Sequence, residues 1–183
     1  MQSKEPKKIE GVSEKRYGYA NSGIEVRFVE CRDRDALAAY YAEMPGGRSF
    51  SKGEAPVAYS VTRYEPVFGE IITCASNNAL ITCTILIAMD LGTIDELEAE
   101  DERYRHLSHE IGHIAFDLCT WGADELSRVN GLPEPSRAVR TEIAAGVTEW
   151  LAAAMRHAFY AGPPVKSGLP FTLPWMNIGE DHV

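Results

Sequence analysis

The stretch "RHLSHEIGHIAFD", Arg105 to Asp117, restricts the fold more than any other part of the chain. At ~100° per residue, a helix here puts Leu107, Ile111, Ile114 and Leu118 in one apolar stripe at i, i+4, i+7 and i+11. That stripe must lie on a core. The polar flank then carries His109 and His113, ~40° and ~6 Å apart. At this spacing two imidazoles can bind one zinc ion. Glu110 lies beside them, and its carboxylate can reach a metal-bound water without becoming a ligand. Gly112 costs the helix roughly 1 kcal/mol against alanine. The expected reason for it is room for another backbone or for a substrate.

The surface on which this helix lies is expected upstream. "GIEVRFVEC" from Gly23 alternates apolar and polar residues and reads as a strand. "DRDALAAYYAEM" from Asp33 reads as a helix with an acidic start, stopped by "PGG" at Pro45–Gly47. "RSFSKGEAP" reads as a loop. "VAYSVTRY" and "VFGEIITCA" are β-branched and aromatic strand candidates separated by a Glu-Pro break. "SNN" at Ser76–Asn78 signals a turn, which suggests a hairpin from "EIITCA" into "ALITCTILIAM". The second arm could instead be a buried helix, but its threonine, isoleucine and cysteine favour strand.

Downstream, "TIDELEAEDERYRHLSHEIGHIAFDLC" continues as one long helical pattern, with Thr93 and Glu96 as a capping box and a break or bend expected before Tyr104. "WGADELSRVNGLPEPS" reads as a loop that could hold one helical turn. "SRAVRTEIAAGVTEWLAAAMRHAFYA" is a strong helix from about Ser136, closed by "GPP" at Gly162–Pro164. The tail after it is proline-broken. Residues 1–15 are polar and charge-mixed, and are expected to form a flexible arm before a single domain over residues 16–183.

Composition narrows the partners. The net charge is -9 and the pI about 5.1, which disfavours direct binding to nucleic acid or to an anionic membrane. Cys31, Cys74, Cys83 and Cys119 form no C-x-x-C pair and suggest buried free thiols instead of a disulfide framework. The N-terminal residues lack the apolar centre of a secretory signal, and the longest apolar run, Ala79–Met89, is too short to span a bilayer. A soluble, cytoplasmic setting is the expectation.

A catalytic zinc takes three protein ligands and one open position. Glu142, early in the last helix, is the first candidate for the third, since a short connection would fold that helix back antiparallel. Glu149, two turns on, competes as a ligand or as a partner to one. Asp117, four residues past His113, could hold a histidine N–H. His106 could line the cleft or be solvated. Tyr104, Arg105, His106, Tyr160 and His157 are alternative donors to a reacting oxygen. His157 is too far along its helix from Glu142 to share the same metal, and His182 lies in the tail.

"HLSHEIGH", followed about thirty residues later by "EIAA", resembles the ImmA/IrrE family of zinc peptidases. Leu107, Ser108, His109, Glu110, Ile111, Gly112 and His113 match its Leu-Ala-His-Glu-Leu-Gly-His segment, with conservative changes at Ser108 and Ile111. Glu142 and Ala145 match its downstream Glu-x-x-Ala. The match departs just before the leucine, where the family commonly has phenylalanine and threonine and this chain has Arg105 and His106. The resemblance covers roughly residues 57–155. It implies an α+β, zincin-like fold with a small, mostly antiparallel sheet whose edge strand lines the cleft. It also implies zinc on His109, His113 and Glu142, with Glu110 as general base. The implied activity is hydrolysis of a peptide bond in a protein or peptide substrate, such as a repressor of a mobile element or stress response. No helix-turn-helix is evident, so any effect on DNA would be indirect. The rival expectations are a zincin-fold module that docks a protein partner with little or no catalysis, and a structural protein with no metal.

Overall fold

The computed structural model describes residues 9–18, 24–51, 53–64, 81–91, 96–129, 131 and 133–162. They form an α+β structure with four strands, β1 (Val12–Gly18), β2 (Ile24–Cys31), β3 (Ala58–Tyr64) and β4 (Ile81–Ala88). The helices are α1 (Arg34–Glu43), α2 (Glu96–Asp117), α3 (Ala123–Val129) and α4 (Arg137–Phe159). The sheet order is β1-β2-β4-β3. β1 runs antiparallel to β2 and β3 antiparallel to β4, while the central β2–β4 pair is parallel, with Ile24 opposite Ile81 and Cys31 opposite Ala88. The sheet is therefore mixed.

All eight residues of β4 are buried, as expected of a continuous apolar run with strands on either side and helices over its faces. Ile81, Cys83, Ile85 and Ile87 point to the face that carries α2 and α4. Leu86 and Ala88 point to the other, where α1 covers them with Ala36 and Leu37. The Asp33 side chain caps α1 by accepting from the Ala36 N–H, and Ser136 caps α4 by accepting from the Val139 N–H. Leu107, Ile111, Ile114 and Leu118 are buried against the sheet, as their spacing predicts. Leu107 is fully buried among large side chains. Leu107→Ala should therefore cost about 2–5 kcal/mol of stability. Urea denaturation monitored by circular dichroism would check this, and a loss below about 1 kcal/mol would show that the stripe does not pack as described.

Several expectations give way. Val12–Lys15, expected in a flexible arm, belong to β1, whose seven residues all pair with β2. α2 runs unbroken through Tyr104, because no residue in Glu96–Asp117 interrupts its hydrogen bonding. The loop expected from Trp121 holds more helix than the one turn allowed for it: a π-helical turn, Leu118–Gly122, leads directly into α3. Arg140 explains how that irregular turn is tolerated. Its guanidinium donates to the Cys119 and Thr120 carbonyls, both at 3.1 Å, and pairs with Asp124 and Glu134. Carbonyls left over by the change of helix pitch thus gain partners. The strand candidate "VFGEIITCA", the "SNN" turn with its hairpin, Thr93 of the capping box and the C-terminal tail lie outside the described residues. Cys31, Cys83 and Cys119 are free thiols, the first two buried. Burial pushes the Cys31 thiol up to about 12, so it packs as a small apolar group. Among the described residues no helix is long and apolar enough to cross a membrane.

Candidate metal centre

α2 lies over the half of the sheet formed by β4 and β3, and its polar flank emerges beside β3, the outermost strand on that side among the described residues. His109 and His113 are one turn apart and exposed, and their rings meet edge to face with centroids 4.6 Å apart. Their Nε2 atoms stand 3.0 Å apart. Two imidazole nitrogens on one tetrahedral zinc, each at ~2.0–2.1 Å, would stand about 3.3 Å apart. Closing that difference takes a small side-chain adjustment, so the pair fits a shared cation.

Glu110, between them in sequence, reaches the sheet. It is only 8% exposed, and its Oε2 accepts a hydrogen bond from the Ser60 hydroxyl at 2.5 Å. Ser60 lies in the middle of β3, opposite Ile85 of β4. The contact ties β3 to the helix that carries the histidines and gives a buried carboxylate a donor. Sequence reasoning did not find Ser60. The available signal was weak: Ser60 and Thr62 are hydroxyls at alternate positions of a strand whose other residues, Arg63 apart, are apolar or aromatic.

Glu142 is exposed on α4, and the structure does not gather it with the histidines. Among the described residues no group of three or more His, Cys, Asp or Glu side chains converges to hold a metal ion. The antiparallel register of α2 and α4 gives the axial relation. The Tyr104 and Tyr160 rings meet at one end, 6.1 Å between centroids, and Arg140 reaches Cys119 and Thr120 at the other. Between these anchors, at ~1.5 Å per residue, Glu142 falls level with residues 117–122, about two turns beyond His113. Glu149 falls level with residues 110–115 and is likewise exposed.

The lesser candidates have other engagements. His106 Nε2 lies 3.5 Å from Glu102 Oε2 on its own helix, and Arg105 pairs with the same carboxylate. Asp117 is half-buried beside Cys83 and Cys119, and its charge helps to raise both thiols, after burial. His157 Nδ1 is 2.9 Å from the Tyr17 hydroxyl and holds the end of α4 to β1. Tyr160 has a buried hydroxyl with no hydrogen-bond partner among the described residues, and burial raises its phenol. Gly112 departs from expectation: among the described residues, a methyl group there would meet nothing within 4 Å, so no described backbone needs the glycine. No family model, no curated protein and no solved structure matches this chain.

Proposed function

We propose that the protein is a zinc metallopeptidase that cleaves a peptide bond in a protein substrate, of the kind found in ImmA/IrrE-like peptidases. The observation that carries this reading is the convergence of the His109 and His113 Nε2 atoms to 3.0 Å, with Glu110 between them in sequence and anchored to β3. His109 and His113 would hold the metal. Glu142 is assigned as third ligand on the resemblance alone, with Glu149, level with the pair, as the competing residue. Zinc bound there would supply Lewis acidity towards a water and a scissile carbonyl.

The chain's own residues do the rest. Glu110 accepts a proton from the attacking water and returns it to the leaving amine. Ser60 positions Glu110 by donating to one carboxylate oxygen, which leaves the other free to take the proton. β3 is the outermost strand on its side among the described residues, and its outward backbone N–H and C=O groups would pair an extended substrate as an added strand. The space at Gly112, clear among the described residues, would leave room for the substrate on the histidine side.

The position of Glu142, away from the pair, favours a second reading: a zincin-fold module that docks a protein partner without cleaving it. Metal content is the first test. Protein purified without a histidine tag and never exposed to added zinc should carry stoichiometric zinc by elemental analysis. A metal-free preparation that also fails to bind added zinc would remove both readings and leave a structural protein.

A further inference from the structure

The sheet face opposite the histidines changes character halfway along. Beneath α1, the rows across the strands are apolar, with Val29 and Cys31 beside Leu86 and Ala88. Beyond the C-terminal end of α1, the same face of the same strands carries Arg16, Arg27, Thr82, Thr84 and Arg63. Arg16 stands directly opposite Arg27 in the antiparallel β1–β2 pair, and Arg27 is next to Thr84 across the parallel pair. Arg63 is opposite Thr82. Like charges directly opposite in an antiparallel pair are destabilising. Parallel strands are ordinarily covered on both faces. An arginine row across this central pair therefore needs compensation.

Part of that compensation comes from within the chain. Glu14 lies 2.5 Å from Arg16 and 4.0 Å from Arg27, and it accepts from the Tyr40 hydroxyl at 2.9 Å. Glu25 lies 2.5 Å from Arg27. No salt bridge among the described residues reaches Arg63. Glu14, Arg16, Arg27, Tyr40 and Arg63 line a cavity of about 170 Å³ that also has an apolar wall of Ile9, Met44 and Pro45. Its lining arginines face Glu14 and Glu43, and Arg27 is further paired by Glu25, which stands opposite Thr82, so Arg63 is the lining arginine that no salt bridge among the described residues reaches. The Thr82 and Thr84 side chains, both nearly fully buried, belong to its lining.

We propose that this cavity binds a small organic acid: one carboxylate gripped by Arg63 and the threonine hydroxyls, with an apolar body against Met44 and Pro45. A planar guanidinium and a carboxylate match in a two-pronged hydrogen bond, which makes Arg63 the anchor. A cavity of ~150 Å³ accommodates a benzene ring, so the ligand has the size of a benzoate or a short branched acid. The site is separate from the histidine pair and does not depend on the peptidase reading.

The test is titration of the full chain with benzoate at low salt, followed by calorimetry and by amide chemical shifts. Benzyl alcohol serves as the uncharged counterpart and inorganic phosphate as the competing oxyanion. The expected result is saturable benzoate binding with a dissociation constant of about 1 mM or tighter, with shifts at Thr82, Thr84 and Arg63 and no binding of benzyl alcohol. Arg63→Gln should weaken binding at least about tenfold while keeping the wild-type circular dichroism spectrum and zinc content. Thr84→Val gives a second, independent variant that should also weaken it. Three results would each overturn the proposal: absence of saturable binding by benzoate and by short branched acids, undiminished binding in both variants, or binding of phosphate in preference to every carboxylate.

Discussion

Glu110→Gln is expected to keep the fold and the zinc while peptide hydrolysis falls by ~10²–10⁴-fold. Glutamine has nearly the same shape, and its amide oxygen can still accept the Ser60 hydrogen bond that holds Glu110 in the native chain. What it cannot do at neutral pH is take a proton from water. The effect should therefore appear in turnover and not in metal content or thermal stability. Cleavage of a co-expressed protein partner or a peptide library, measured beside metal analysis of the same samples, provides the readout. Full activity with full zinc would take Glu110 out of the mechanism. Zinc loss would mean that the carboxylate acts as a ligand. If native protein and variant both bind zinc and neither cleaves any substrate, the docking module becomes the better reading.

His109→Ala and His113→Ala should each abolish tight zinc binding. Each removes one of two nitrogens that already stand 3.0 Å apart, and a single imidazole on an exposed helix face holds zinc weakly. Both side chains are exposed, so each variant should fold with stability changes within about 0.5 kcal/mol of the metal-free native chain. The thermal shift caused by added zinc should vanish with the binding, since a ligand at a thousandfold excess over its dissociation constant contributes about 4 kcal/mol. Retained stoichiometric zinc in the double variant would refute the site. On the assignment made by resemblance, Glu142→Ala loses tight zinc and Glu149→Ala keeps it. The reverse outcome would place the third ligand on Glu149, the residue level with the pair.

The parts of this structure legible in the sequence are those set by local periodicity. The apolar stripe of α2, the helix starts near Asp33 and Ser136, and the strand character of Ile81–Ala88 depend on neighbours within a turn or two, and each is found where expected. The histidine pair belongs to the same class, because an i, i+4 spacing on a helix is itself a geometry. β1 was missed because its alternation is of charged residues, and only pairing with β2 turns "VSEKRYG" into strand. The helix from Trp121 to Val129 exceeds the one turn expected there because tertiary contacts from Arg140 stabilise this part of the chain, and Arg140 is twenty residues away in sequence. Ser60 meets Glu110 across fifty residues, and the axial register of α4 on α2 is a packing result. No local pattern encodes either one, so the partner of Glu110 and the levels of Glu142 and Glu149 along α2 were beyond a single-sequence reading.

The parallel pairing of β2 with β4 bears on how fast this protein can fold. Ile24 and Ile81 must meet across a long intervening chain that includes α1 and β3, so the central ladder closes late and at a high entropic cost. α2 can form its first turns in microseconds, and with them the two imidazoles. In newly made chains a weak two-nitrogen cation grip would therefore precede the sheet beneath it. Metal captured at that stage would be exchangeable until β3 and β4 are in place and Ser60 reaches Glu110.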